Sequence, residues 1–205
     1  MSVDKIILRA FLSTLASIAI LFLFMLTALV CIYPQTMMKR TYNLGMEDAS
    51  VWFAEISYDR SHDVYYIAHA TEVAIGQQDY KKIESCGDLL IKDDDFKDLC
   101  ANKNKNMPQS AGMTYEQYVY GQVCIAQYEC AHKAEAVDRA FASLAASVDG
   151  YAFPKYNAVV AVLITALQKG DGATANLITE KMQQMQVCSE DQSYFDEILA
   201  YAESK

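Results

Sequence analysis

The chain is predicted to be all-α, with an N-terminal transmembrane helix followed by an antiparallel stack of helical hairpins. Three observations carry this expectation. Residues 10–38 contain no charged side chain. Beyond residue 45, apolar residues recur at three- and four-residue spacing, with little of the alternation typical of strands. Only three prolines and eight glycines interrupt the 205 residues.

Residues 10–33 are long enough as a helix to cross the ~30 Å hydrocarbon core of a bilayer. The run exceeds the ~7–15 apolar residues of a signal peptide. Val30 before Cys31 is larger than the residue expected at a cleavage or lipid-attachment site. Ser13, Thr14, Ser17 and Thr27 are compatible with spanning, because their hydroxyls can bond to carbonyls one turn back. Lys5 and Arg9 precede the run and Lys39 and Arg40 follow it, so positive charge barely selects an orientation. A short tail ahead of a large domain favours an N-in, C-out topology at the cell membrane. The expected organisation is a tail over 1–9, the span over 10–33, a juxtamembrane linker over 34–45 and a helical domain over 46–205. Halves at 46–100 and 113–205 flank a central loop.

Residues 41–205 carry 13 basic and 25 acidic side chains, a net charge of −12. Such a body is repelled by phosphate backbones, which excludes nucleic acid as a partner.

The helices follow in order. The first of the body runs over 46–58, with Val51, Phe53 and Ile56 apolar. The second runs over 63–77, with Ile67, Ala70 and Val73 on one face. Gln78-Asp79 makes a tight turn into a third helix, 80–91. Asp93 to Asp95 cap a short helix ending at Cys100. Residues 101–112 are rich in Asn and Lys, contain Pro108 and Gly112, and read as the central loop. Thr114 and Gln117 form a capping box for a helix to about residue 131. Its partner spans 133–148 and ends at Asp149-Gly150. Pro154 suits the first turn of the next helix, 155–169, because its missing N–H costs nothing there. That helix is apolar nearly all round and should be the buried centre of the second half. Gly170-Asp171-Gly172 turns the chain into a helix to Gln186. Ser189 and Gln192 would then cap the last helix, 190–202.

Paired helices of this length, joined by Gln78-Asp79-Tyr80 and by Lys169-Gly170-Asp171, resemble tetratricopeptide-type hairpins. The resemblance covers about residues 61–188. In that family an alanine follows the turn aspartate by four residues. Ala175 matches after Asp171, whereas the larger Ile83 stands after Asp79. The resemblance implies a helical stack with a groove that binds peptides or proteins. The physical logic is independent of the name: a hairpin cannot bury its own apolar face and must stack on a neighbour.

Sites of chemistry are sparse. His62 and His69 are seven apart, near Asp63 and Glu72, but the spacing matches no metal motif, and no metal or cofactor is expected. His132 sits in a turn between helices. The run Asp93-Asp94-Asp95 lacks the glycine and glutamate of a calcium loop and suits helix capping. The body cysteines are Cys86, Cys100, Cys124, Cys130 and Cys188. Their spacing fits no zinc module, and Cys86 and Cys100 are the candidates for one disulfide. No nucleophile elbow or phosphate loop occurs, so catalysis is not expected.

Tyrosine is abundant, with 14 in the chain. Aromatics with a polar tip suit binding grooves. Tyr115 and Tyr118 are the candidate exposed groove positions, with Val123, Ile125 and Ala126 assigned to the opposite face. The function expected is therefore a membrane-anchored, non-catalytic scaffold for protein–protein interaction, such as an accessory factor in secretion, envelope assembly or division. The alternative is a peptide- or ligand-binding sensor domain at the cell surface.

Overall fold

The computed structural model describes residues 3–106, 112–144, 146–147 and 150–205. Among these the protein is all-α, with eleven helices. Contacts divide it into two compact units, Met1–Tyr66 and Ile67–Lys205. The boundary falls inside one helix.

The first unit begins with α1 (Val3–Ile32). Over Arg9–Ile32 it is long and apolar enough to cross a membrane. Every side chain from Arg9 to Ala28 is exposed. Its hydroxyls are satisfied within the helix: Thr14 donates to the Ala10 carbonyl, Ser17 to Ser13 and Thr27 to Leu23, at 2.8–2.9 Å. The stretch read as a juxtamembrane linker carries a helix, α2 (Pro34–Asn43), with proline in its first turn, where no N–H is needed. It packs on α3 (Glu47–Ser61). Met38, Thr41, Ser50, Phe53 and Ala54 fill the seam, and the Ser50 hydroxyl donates to the Met38 carbonyl at 3.1 Å. This burial explains why a short, polar segment is helical, since tertiary packing outweighs weak intrinsic propensity.

Helix α4 (Val64–Gln77) leads into the second unit. There follow α5 (Tyr80–Lys92), α6 (Phe96–Asn106), α7 (Tyr115–Glu129) and α8 (Lys133–Ala142), then α9 (Ala158–Gln168), α10 (Gly172–Gln183) and α11 (Gln192–Glu203). Helix α7 contacts α5, α6, α8 and α9, while α9 also touches α8, α10 and α11. As expected from its composition, α9 buries Ala158, Val159, Val160, Val162, Leu163 and Ala166. Around it gather Val137, Ala140, Phe153, Ile178, Met182 and Phe195. At the α5–α7 crossing Gly87 is required by packing, since a Cβ there would collide with the Val123 side chain.

Four inter-helix turns share one construction. Gly45, Gln78, Ala131 and Gly170 all have positive φ. In each turn this residue's N–H reaches back three residues. The next residue's N–H reaches back five: Met46 to Thr41, Asp79 to Ala74, His132 to Gln127 and Asp171 to Ala166, at 2.9–3.1 Å. This is the Schellman pattern, which satisfies carbonyls orphaned at a helix end. Asp79 and Asp171 then cap the following helices, accepting from the N–H groups of Lys82 and Thr174. The capping box of Thr114 and Gln117 is present at α7.

Several boundaries differ from expectation, most of them for a tertiary reason. Helix α6 continues to Asn106, into the predicted loop, because Lys103 pairs with Glu72 and Asn104 accepts the Tyr115 N–H at 2.7 Å. Residues 107–111, with Pro108, lie outside the described residues. Helix α8 stops at Ala142, and the chain forms a two-residue hairpin, β1 (Ala146–Ser147) with β2 (Gly150–Tyr151). Val148 and Asp149 lie outside the described residues. Tyr151 also bridges to the segment after α10, donating to the Gln186 carbonyl at 2.7 Å and accepting from the Cys188 N–H at 3.1 Å. That bridge draws residues 184–188 out of the helix predicted to reach Gln186. Pro154 stands outside α9. Asn157 is the N-cap there, accepting the Val160 N–H and donating to the Pro154 carbonyl. The last helix is capped at Asp191 rather than by Ser189 and Gln192. The Asp191 carboxylate instead accepts the Phe153 N–H at 2.8 Å.

Asp171 concentrates the polar bonding of the second unit. Its carboxylate accepts from Lys133 at 2.6 Å, from the Tyr128 hydroxyl at 2.9 Å and from the Thr174 hydroxyl at 2.9 Å. The Lys133 ammonium, seconded by Thr174, holds its pKa well below the usual carboxylate range. A carboxylate depressed in the folded state stabilises the fold above its unfolded pKa of about 3.9, and that contribution is lost as pH falls toward the folded value. Urea denaturation should therefore show Asp171→Asn less stable than the native chain at pH 6. The gap should shrink progressively below about pH 4. A gap independent of pH would show that charge at Asp171 contributes nothing.

Candidate protein-interaction groove

Helices α7 and α9 cross closely in the second unit, and the crossing leaves an open groove of about 250 Å³. Tyr118, Gly121, Gln122 and Ile125 line one wall, and Asn157, Val160, Ala161 and Ile164 the other. Each set follows i, i+3, i+4, i+7, the spacing that puts side chains on one helical face. Gly121 and Ala161 set the depth: a Cβ on Gly121 would stand 3.8 Å from the Ala161 methyl. Met113, Gln117, Lys155 and Tyr156 complete the lining. Tyr156 and Ile164 are about two-fifths exposed, so the groove presents unsatisfied apolar surface.

Tyr118 is half-buried in this groove. Burial raises its phenol pKa, with the Glu72 charge adding to the effect. Tyr115 is not an exposed groove position. It is 5 % exposed, and its hydroxyl donates to Glu72 Oε1 at 2.7 Å. Lys103 Nζ donates to the same oxygen at 2.7 Å and stands 5.4 Å from the Tyr115 ring centroid. Tyr115, at the first turn of α7, therefore ties α4 and α6 to α7 and belongs to the frame behind the groove. Ile125 is a second correction. It stands two turns after Tyr118 and shares its face instead of opposing it. Tyr156, Lys155 and Ile164 come from another helix and its approach, which no local spacing could link to Tyr118. The one available signal was Ile164, a large apolar residue on a helix apolar all round.

The six cysteines are free thiols. Cys86 and Cys100, the disulfide candidates, are separately buried. Burial pushes the Cys100 and Cys124 thiols up to about 12. The Cys130 thiol is also raised, by burial and by its hydrogen bond to Glu84. Thiols so disfavoured as thiolates are poor nucleophiles. His132 occupies the N-cap position of α8 without a side-chain capping bond; its Nδ1 lies 2.6 Å from Glu84 Oε1, and this bond raises its pKa. Burial lowers the pKa of His69 in α4, and His62 is the left-handed C-cap of α3. Asp93 caps the end of α5 and accepts the Asp95 N–H.

No protein-family model, no curated protein and no solved structure matches this chain.

Proposed function

We propose that the protein is a single-pass membrane protein with an N-in, C-out topology, whose helical body is a non-catalytic scaffold for protein–protein interaction. The observation that carries this reading is one chain bearing two exposed apolar surfaces: α1 from Ala10 to Ala28 and the α7–α9 groove in the body. The first suits lipid. The second is concave, half-lined by aromatics and large aliphatics, and sized for one or two anchoring side chains of a partner. Tethering the body raises its effective concentration near membrane partners. The repeated Schellman turns, two of them followed by a capping aspartate, support kinship in construction with tetratricopeptide-type hairpins. An anchored scaffold of this kind fits accessory work in secretion, envelope assembly or division.

The test is a mild-detergent pull-down of the full chain, comparing the native protein with Tyr118→Ala. The variant is expected to lose at least about tenfold in partner recovery, the effect of truncating an aromatic anchor, while its melting temperature falls by only a few degrees. Unchanged recovery with unchanged melting would remove the groove from the reading. Saturable binding of a short peptide in the groove, without a stable membrane complex, would favour a sensor domain instead.

A further inference from the structure

The α2–α3 pair is tied at both ends to the C-terminus of α1. Only Tyr33 separates Ile32 from Pro34 at its start. At its other end Arg60 donates to the carbonyl oxygens of Cys31 and Val30, two of the groups left unpaired where α1 stops. Charge is segregated across the pair. The exposed face of α2 carries Lys39 and Arg40 and no acid, and Leu44 beyond it is 73 % exposed. The outer side of α3 carries Glu47, Asp48, Glu55 and Asp59 around Trp52.

We propose that α2 lies on the headgroup layer of an anionic bilayer, with Lys39 and Arg40 against lipid phosphates and Leu44 dipping below them, while acidic α3 faces water. The inference rests on α1 being a membrane anchor and adds the orientation of the adjoining helices and the lipid chemistry they recognise. Continuity with α1 delivers α2 to the surface. Cations near an anionic leaflet are attracted within a Debye length, and acids are repelled. Seating α3 on the membrane instead would press four carboxylates against phosphate.

Trp52 is the single tryptophan of the chain, so it reports the α3 side without labelling. The full chain is reconstituted into vesicles of brominated phosphatidylcholine with and without phosphatidylglycerol, and flotation establishes insertion. Trp52 should be quenched by aqueous acrylamide and little by brominated lipid. In a Trp52→Phe background, Leu44→Trp should show the reverse in anionic vesicles. Adding Lys39→Glu and Arg40→Glu should cut its lipid quenching roughly fivefold or more, given about that factor for each surface cation. A Leu44→Trp reporter open to acrylamide and unquenched by lipid, stronger lipid quenching of Trp52, or indifference to the charge reversals would overturn the proposal. A chain that fails to float removes the anchor as well, which distinguishes failure of the premise from failure of this inference.

Discussion

Replacing Phe153 with alanine is expected to destabilise the second unit by about 3–5 kcal/mol. Phe153 is fully buried in the loop that enters α9. Its ring meets Phe195 edge-on, with centroids 5.0 Å apart, and Tyr194 at 6.3 Å. Its backbone N–H donates to the Asp191 carboxylate. One side chain thus joins the approach to α9 with the start of α11. Truncation removes the transfer energy of a phenyl group and leaves a cavity among rigid neighbours, which relax only in part. Chemical denaturation of the full chain in detergent should show a lower midpoint with an unchanged slope. A loss below about 1 kcal/mol would mean that the loop is not held in the core. Phe153→Leu, which keeps most of the volume, should recover more than half of the loss.

Gly150→Ala is the second large effect, expected to cost about 3 kcal/mol or more. Gly150 has φ near +125°, a region closed to residues with a Cβ. The added Cβ would also run into the Gln186 backbone carbonyl, the acceptor of the Tyr151 N–H. Backbone cannot swing aside as a long side chain can, so strain and collision act together. The bridge between Tyr151 and residues 186–188 should open, and amide exchange at Tyr151 and Cys188 should accelerate before that of α9. Gly170→Ala is the control. It too has positive φ, but nothing lies within 4 Å of its added Cβ, so only the conformational cost of about 1 kcal/mol is expected. Equal losses at the two positions would refute the collision argument.

Much of the helical order was legible in the chain because its signals are local. Uninterrupted apolarity marked α1, and full-circumference apolarity marked α9 as buried. The side-chain chemistry of Asp79, Thr114 and Asp171 marked three helix starts within one residue. The readings that failed have two causes. Pro154, expected in the first turn of α9, stands before it because Asn157 takes the N-cap, and Asp191 spent its carboxylate on Phe153 rather than on its own helix. Helix α6 outran its composition because Lys103 and Asn104 found partners 31 and 11 residues away. For Asp191 and for α6 a hydrogen bond to another segment outweighed a local preference worth about 1 kcal/mol or less, whereas the Asn157 cap is itself local, three residues from each of its partners.

The candidate groove divides in the same way. Tyr118 could be suspected from composition, yet Tyr115, three residues earlier and chemically identical, is buried. Their difference is Glu72, which lies 43 residues before Tyr115 and takes its hydroxyl. The sequence by itself determined that this is an all-α protein with one helix fit to cross a bilayer and an acidic helical body, since composition and periodicity along one segment suffice for that. Only the tertiary structure decided which tyrosine faces outward, which helices wall the groove and which acids are spent on bonds. Those outcomes depend on pairings between segments far apart in the chain, and no local pattern encodes them.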